Sequence, residues 1–204
     1  MNRISLLRPA LASSAAAIFV LTACAGPQAE DVSPAPAEAA SASPATLNGD
    51  PAAFAVTSDD IDATGEFSNS VLGTSSPSCA GDSESLHLAW TEPPAGTQSI
   101  ALLFENTYVD FVYWARADLE PAETVIEHDH YGAVSGRELT NDLALKYPAS
   151  PCPEAGVTET YIITVWALDT VLGEDVGTYV DLREAVVGHE LATATIEAHA
   201  TGLS

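Results

Sequence analysis

Positive charge is what this 204-residue chain has least of: six Lys and Arg stand against 29 Asp and Glu, a net charge of −23 at neutral pH. Nucleic-acid binding rests on neutralising phosphates with Lys and Arg, so nucleic acid is excluded as a partner. Adhesion of the folded surface to anionic headgroups is disfavoured for the same reason. A solvated acidic surface that keeps the protein soluble in a salty exterior accounts for the imbalance. Long apolar runs are missing too. The mostly small and apolar run Ala10 to Leu21 falls short of the roughly 18 to 20 residues that span a bilayer. Cysteine is scarce, with Cys24, Cys79 and Cys152 as the three copies, and neither Cys79 nor Cys152 has a second Cys or His at metal-ligand spacing.

What the N-terminus does have is an export signal. Asn2-Arg3 and Arg8 make a positive start, the apolar run follows, and "LTAC" ends it at Cys24. Leu21, Thr22, Ala23 and Cys24 resemble the lipobox of bacterial lipoproteins, in which cleavage precedes a cysteine acylated on sulfur. Residues 1–23 are then a signal peptide, and the membrane is a partner through lipid on Cys24. Loss of Arg3 and Arg8 leaves 4 basic against 29 acidic residues, a net −25. Ala25, where an Asp would retain the protein at the inner membrane, favours the outer one in a two-membrane cell. Residues 24–52, "CAGPQAEDVSPAPAEAASASPATLNGDPA", are Ala, Pro, Ser and Glu with almost nothing large and apolar, so they form a tether. Residues 53–204 remain for one domain with a sizeable core. In an oxidising compartment Cys79 and Cys152 read as a disulfide; metal binding by two isolated thiols is the weak rival.

The domain is rich in short apolar runs separated by turn residues. "SLHLAW" (85–90), "SIALLFE" (99–105), "FVYWARADL" (111–119), "YIITVWALD" (161–169) and "LATATIEA" (191–198) have strand lengths and strand composition. The 111–119 run has apolar residues on both faces, with Phe111, Tyr113, Ala115, Ala117 and Leu119 sharing one at period two, so it is a central strand. Arg116 and Asp118, two apart, are expected to form a local ion pair. Ala192, Ala194, Ile196 and Ala198 share a face of the last run. One helix is credible: Thr178 and Asp181 form a capping box, Tyr179, Leu182 and Val186 share a face, and Gly188 stops it. The fold expected is mainly β and sandwich-like, with a minor helix near the C-terminus.

Four segments in fixed order resemble the phosphatidylethanolamine-binding protein family, in its bacterial and archaeal branch often called Raf kinase inhibitor-like. "CAGDSESLHLAW" keeps Cys79, Gly81, Ser85, Leu88 and Trp90 of that branch's C-D-G-x-D-x-S-P-x-L-x-W segment, and "PPAGTQSIALLFE" keeps Pro94, Gly96, Thr97 and Ser99 of the next. "SPCPEAG" with "YIITVWALD" is similar to P-C-P-x-x-G and its A-L-D strand at Pro151 to Pro153, Gly156, Tyr161 and Ala167 to Asp169. "GHELATATIEA" closes the likeness at Gly188, His189, Leu191, Ala192 and Ala194. The resemblance implies a Greek-key β-sandwich dominated by one large sheet, and it supports the Cys79–Cys152 bridge.

At the family's anion site the likeness fails. Asn106 and Tyr108 stand at the two aspartates of D-P-D-x-P and Thr107 at its proline. Tyr113 replaces the histidine before Trp114, and Glu159 and Thr160 replace the histidine and arginine before Tyr161. Leu86 and His87 stand where the family has Pro-Pro. Two imidazoles and a guanidinium have become phenol, carboxylate and hydroxyl, so a phosphate-type ligand loses its donors. No nucleophile beside an oriented base remains, and catalysis is not expected. The expected function is that of a non-catalytic, lipid-anchored envelope protein that needs no cofactor. It binds a small neutral or cationic ligand through Asn106, Tyr108, Tyr113, Glu159, His87 and Trp90, or binds a protein partner. The alternative is an inhibitor of a protease or other enzyme, acting through loops such as 127–138. "EHDHYG" offers His128 and His130 to a metal, but without a third ligand it reads as an exposed acidic loop; His189 and His199 read as structural.

Overall fold

The structure, a computed structural model, describes residues 53–204. The expected signal peptide, the lipid-bearing Cys24 and the tether lie outside the described residues. No helix among the described residues is long and apolar enough to cross a membrane.

Two antiparallel sheets make the domain. The larger has five strands in the order β6-β4-β3-β7-β8, formed by β3 (Ser99–Asn106), β4 (Phe111–Leu119), β6 (Arg137–Glu138), β7 (Thr158–Leu168) and β8 (Glu190–Thr201). The smaller is β1 (Val56–Thr57), β2 (Leu88–Trp90) and β5 (Val125–Ile126), in the order β1-β2-β5. One helix, α1 (Tyr179–Ala185), precedes β8. The fold is therefore mainly β, as the strand pattern indicates.

The large sheet is covered on both faces, so its central strands lack the polar-out alternation of a half-exposed sheet. On one face Ile100, Leu102, Phe104, Tyr161 and Ile163 meet Leu88, Trp90 and Ile126 of the small sheet. On the other, Ala101, Leu103, Val112 and Ala115 pack against Leu182 and Val186 of the helical segment. Seven residues are too few for a helix to stand alone. The helix is held by its buried Leu182, worth about 2 kcal/mol, and by the expected capping box, in which Thr178 Oγ1 accepts from Asp181 N and Asp181 Oδ2 accepts from Thr178 N. In β8, Ala192, Ala194, Ile196 and Ala198 all face the inter-sheet core.

β4 does not keep the simple alternation its sequence suggests. Its pairing with β3 shifts register twice, once across Phe104/Glu105 and once across Ile100/Leu102. Each bulge adds one residue and turns the following side chains over. Tyr113, Trp114 and Leu119 consequently face the inter-sheet core, whereas Val112, Ala115 and Ala117 face the helix side. The second bulge carries Asp118 at φ 61° and separates it from Arg116. The expected Arg116–Asp118 pair therefore does not form. Arg116, 3% exposed, pairs with Glu138, and Asp118 Oδ2 accepts from Arg137 Nη2 at 2.8 Å.

Cys79 and Cys152 are joined by a disulfide with their Cα atoms 5.3 Å apart. It ties the segment before β2 to the "PCP" loop that leads into β7.

Candidate functional site

β3 ends, β4 begins and β7 begins at one end of the large sheet, and that end gathers most of the residues expected to form the site. β3 runs antiparallel to β7 with Phe104 opposite Ile163 and Glu105 opposite Ile162. The next position sets Asn106 beside Tyr161, and the period of two puts Glu159 on the same face. The result is a closed polar cluster. Glu159 Oε2 accepts from Asn106 Nδ2 at 2.9 Å and from the Tyr161 hydroxyl at 2.8 Å. The other end of the Asn106 amide works on the loop: Oδ1 accepts from Tyr108 N at 3.0 Å and Val109 N at 3.4 Å. Asn106 and Tyr161 are both fully buried.

Tyr113 packs beside this cluster. Pushed out by the first bulge of β4, its ring packs 5.6 Å from Tyr161, 5.2 Å from Phe104 and 4.8 Å from Phe111, centroid to centroid. Burial, followed by the negative charge of Glu159, pushes the Tyr113 phenol up to about 12. Burial, with Tyr113 and Glu159 adding to it, also raises the Tyr161 phenol far above the ordinary tyrosine range. Both rings are neutral at any physiological pH.

Above this cluster lies an open cleft of about 480 Å³, lined by Asn106, Tyr108, Val109, Glu154, Val157 and Glu159 among others, with Thr160 on its rim. Two carboxylates and no basic side chain line it. Tyr108, 92% exposed, stands at its edge as a loose aromatic wall. Arg183 is engaged on the helix side of the sheet by Glu105 and Asp110. A cleft of this polarity repels anions and suits a neutral or cationic group.

Of the expected site residues, Tyr113 packs beside the cluster without lining the cleft, and His87 and Trp90 lie elsewhere. His87 is buried at the small sheet, where its Nδ1 accepts from Asp59 N at 3.2 Å and its ring lies 5.9 Å from His128; its side chain does not line the cleft. Trp90 lines a separate groove with Pro93, Pro94 and Pro121, and its Nε1 has no hydrogen-bond partner among the described residues. Both were placed by sequence proximity to matching segments, but β2 belongs to the other sheet. His128 lies 3.4 Å from the buried Asp60, and among the described residues no three His, Cys, Asp or Glu side chains gather as a metal site. His189 Nδ1 sits 2.8 Å from Asp169 Oδ1, and His199 Nε2 3.1 Å from Glu66 Oε2.

Sequence reasoning missed the bond from Tyr161 to Glu159, although their i, i+2 spacing on a strand carries that signal. It also missed Asn141, for which no periodicity gives warning because it organises a loop.

With cleft and fold in view, the comparison with known proteins is direct. The family model described as phosphatidylethanolamine-binding protein matches residues 67–201, and the chain belongs to that family. Among solved structures it is similar to Escherichia coli YbcL, described as a new member of the mammalian PEBP family, with a TM-score of 0.64 and 23% identity over 74% of this chain and 99% of that one. It is also similar to the PEBP homolog CT736 of Chlamydia trachomatis, with a TM-score of 0.58 and 25% identity over 72% and 96% of the two chains. No curated protein matches the chain.

Proposed function

We propose that this protein is a non-catalytic, lipid-anchored binding protein of the cell envelope, whose cleft at the family site takes a small neutral or cationic ligand in place of an anion. The observation that carries this reading is the Glu159 carboxylate, held by Asn106 and Tyr161 at the mapped anion site. An internal carboxylate uses the donors that an incoming phosphate would need, and adds a repelling charge of its own. The phenols of Tyr113 and Tyr161 are raised, not lowered, so neither supplies a nucleophile at neutral pH. The lipobox at Cys24 supports the anchor.

Calorimetric titration tests the pocket. Inorganic phosphate and phosphoethanolamine produce no binding heat with the native protein at neutral pH, while the variant Tyr113→His/Glu159→His gains phosphate binding. Micromolar phosphate binding by the native chain would overturn the reading. Anchoring is tested separately: Cys24→Ala abolishes fatty-acid labelling and signal processing, and an unlabelled native protein starting elsewhere sinks that part.

A further inference from the structure

Three irregular segments meet on another face of the domain, and each is held in place by a buried polar side chain. The 127–131 loop is locked to the segment before β2 by a reciprocal pair: Ser85 N donates to Asp129 Oδ1 at 2.9 Å and Asp129 N donates to Ser85 Oγ at 2.6 Å. The 131–135 stretch is held by Arg116, whose guanidinium donates to the carbonyls of Tyr131, Val134 and Ser135. The 141–147 loop winds round Asn141, 4% exposed. Its Oδ1 accepts from Leu143 N and Leu145 N, and its Nδ2 donates to the carbonyls of Tyr113 and Tyr147. Loops fixed in this way present a surface whose shape is set before any ligand arrives, which removes an ordering cost from binding.

Between these loops runs an open groove of about 570 Å³ that shares no lining residue with the cleft at Asn106. Its surface chemistry is specific. Two tyrosines, Tyr131 and Tyr147, supply aromatic area, and Tyr147 is 47% exposed. Hydroxyls of Thr74, Ser75, Ser83 and Ser150 line it, with the carboxylates of Glu84 and Asp129. No lysine or arginine lines it.

We propose that this groove is a saccharide-binding site for a neutral glycan chain. Tyrosine offers wide, rigid contact at low entropic cost and serine offers adaptable hydrogen bonds, the pairing that polar recognition surfaces favour. A pyranose ring matches it from both sides. Its C–H face lies on a phenol ring, and its hydroxyls, each donor and acceptor, meet carboxylates and serine hydroxyls that are acceptors and donors in turn. The hydroxyl-bearing Thr74, Ser75, Ser83 and Ser150 outnumber the two carboxylates, and a polyhydroxylated ring uses both kinds of group where a cation uses the carboxylates alone. An anion meets two carboxylates and no compensating cation.

The test is isothermal titration of the full chain, paired with NMR chemical-shift mapping, using cellotetraose and chitotetraose as probes. At least one binds with a Kd on the order of 1 mM or tighter. Tyr147→Ala weakens that binding about ten-fold or more while the melting temperature holds, and Tyr147→Phe, which keeps the ring, restores it. Tyr108→Ala, in the other cleft, leaves it unchanged. Absence of binding by both sugars at millimolar concentration, or equal binding by Tyr147→Ala, overturns the assignment. Loss of binding in Tyr108→Ala also overturns it, by placing the sugar in the Asn106 cleft.

Discussion

Glu159→Ala is the most informative single change in the molecule. Removing the carboxylate takes the acceptor from two donors at once, Asn106 Nδ2 and the Tyr161 hydroxyl, both on fully buried residues. Each buried donor left without a partner costs about 1–3 kcal/mol. Water can reach the cleft side of the cluster and recover part of that, so the variant is expected to lose about 2–4 kcal/mol in all. Glu159→Gln keeps an acceptor and exchanges charge-assisted bonds for neutral ones, for a loss of about 1 kcal/mol. Urea denaturation followed by tryptophan fluorescence measures both, with the denaturant slope as a check on two-state behaviour. The freed donors give a second readout. Added phosphate should raise the midpoint of Glu159→Ala and leave the native protein where it is, because a ligand stabilises only the state that binds it. A loss below about 0.5 kcal/mol for Glu159→Ala, or equal stabilisation of both proteins by phosphate, would refute the idea that an internal carboxylate fills this site.

Three other expectations follow from the same structure. Joint replacement of Cys79 and Cys152 by serine opens a loop with a sequence separation of 73 and should cost roughly 4 kcal/mol, read from denaturation of native and variant proteins under non-reducing conditions. Tyr113 titrates near 12 in the folded protein against about 10 unfolded, so its protonated form favours folding; that contribution is whole below pH 10 and is lost as pH rises toward 12. An alkaline melt should therefore show a decline across this window that is smaller in Tyr113→Phe. Arg116→Met strips a nearly inaccessible guanidinium from Glu138 and from three carbonyls and is expected to cost about 3–5 kcal/mol or prevent folding, with Arg116→Lys recovering only part because an ammonium cannot span the same acceptors.

The four long strands of the large sheet were legible because they are long enough for burial to impose composition: the runs at 99–105, 111–119 and 191–198 lie on observed strands, and 161–169 overruns its strand by one residue. β1, β5 and β6 have two residues each, which is too short to show a period. The bulges were illegible for a different reason. Arg116 and Asp118 are two residues apart, and in a regular strand that spacing puts them on one face; only the pairing partner, with its register shift, reveals that they diverge. The same limit applied to the site. Asn106, Tyr108, Tyr113 and Glu159 gather at one end of the large sheet because they flank strand ends that sequence order places correctly. His87 and Trp90 were misplaced because adjacency in sequence to a family motif does not say which sheet carries the segment. Asn141 and the groove residues lie in loops, whose shape is set by individual hydrogen bonds and leaves no periodic trace.

Asn106 and Glu159 are linked by charge. With an aspartate at position 106, the group now donating from Nδ2 would be an oxygen 2.9 Å from Glu159 Oε2, and two carboxylates at that distance cannot both stay ionised. Asparagine keeps the half of the side chain that accepts from Tyr108 N and Val109 N and converts the other half into a donor. The loop geometry is therefore retained while the partner across the sheet is free to become acidic. A histidine at position 159 would make the opposite demand, favouring an aspartate at 106 to hold its charge. Asn106 with Glu159 is thus as self-consistent as an aspartate and histidine pair would be, with the negative group on β7 and no cation.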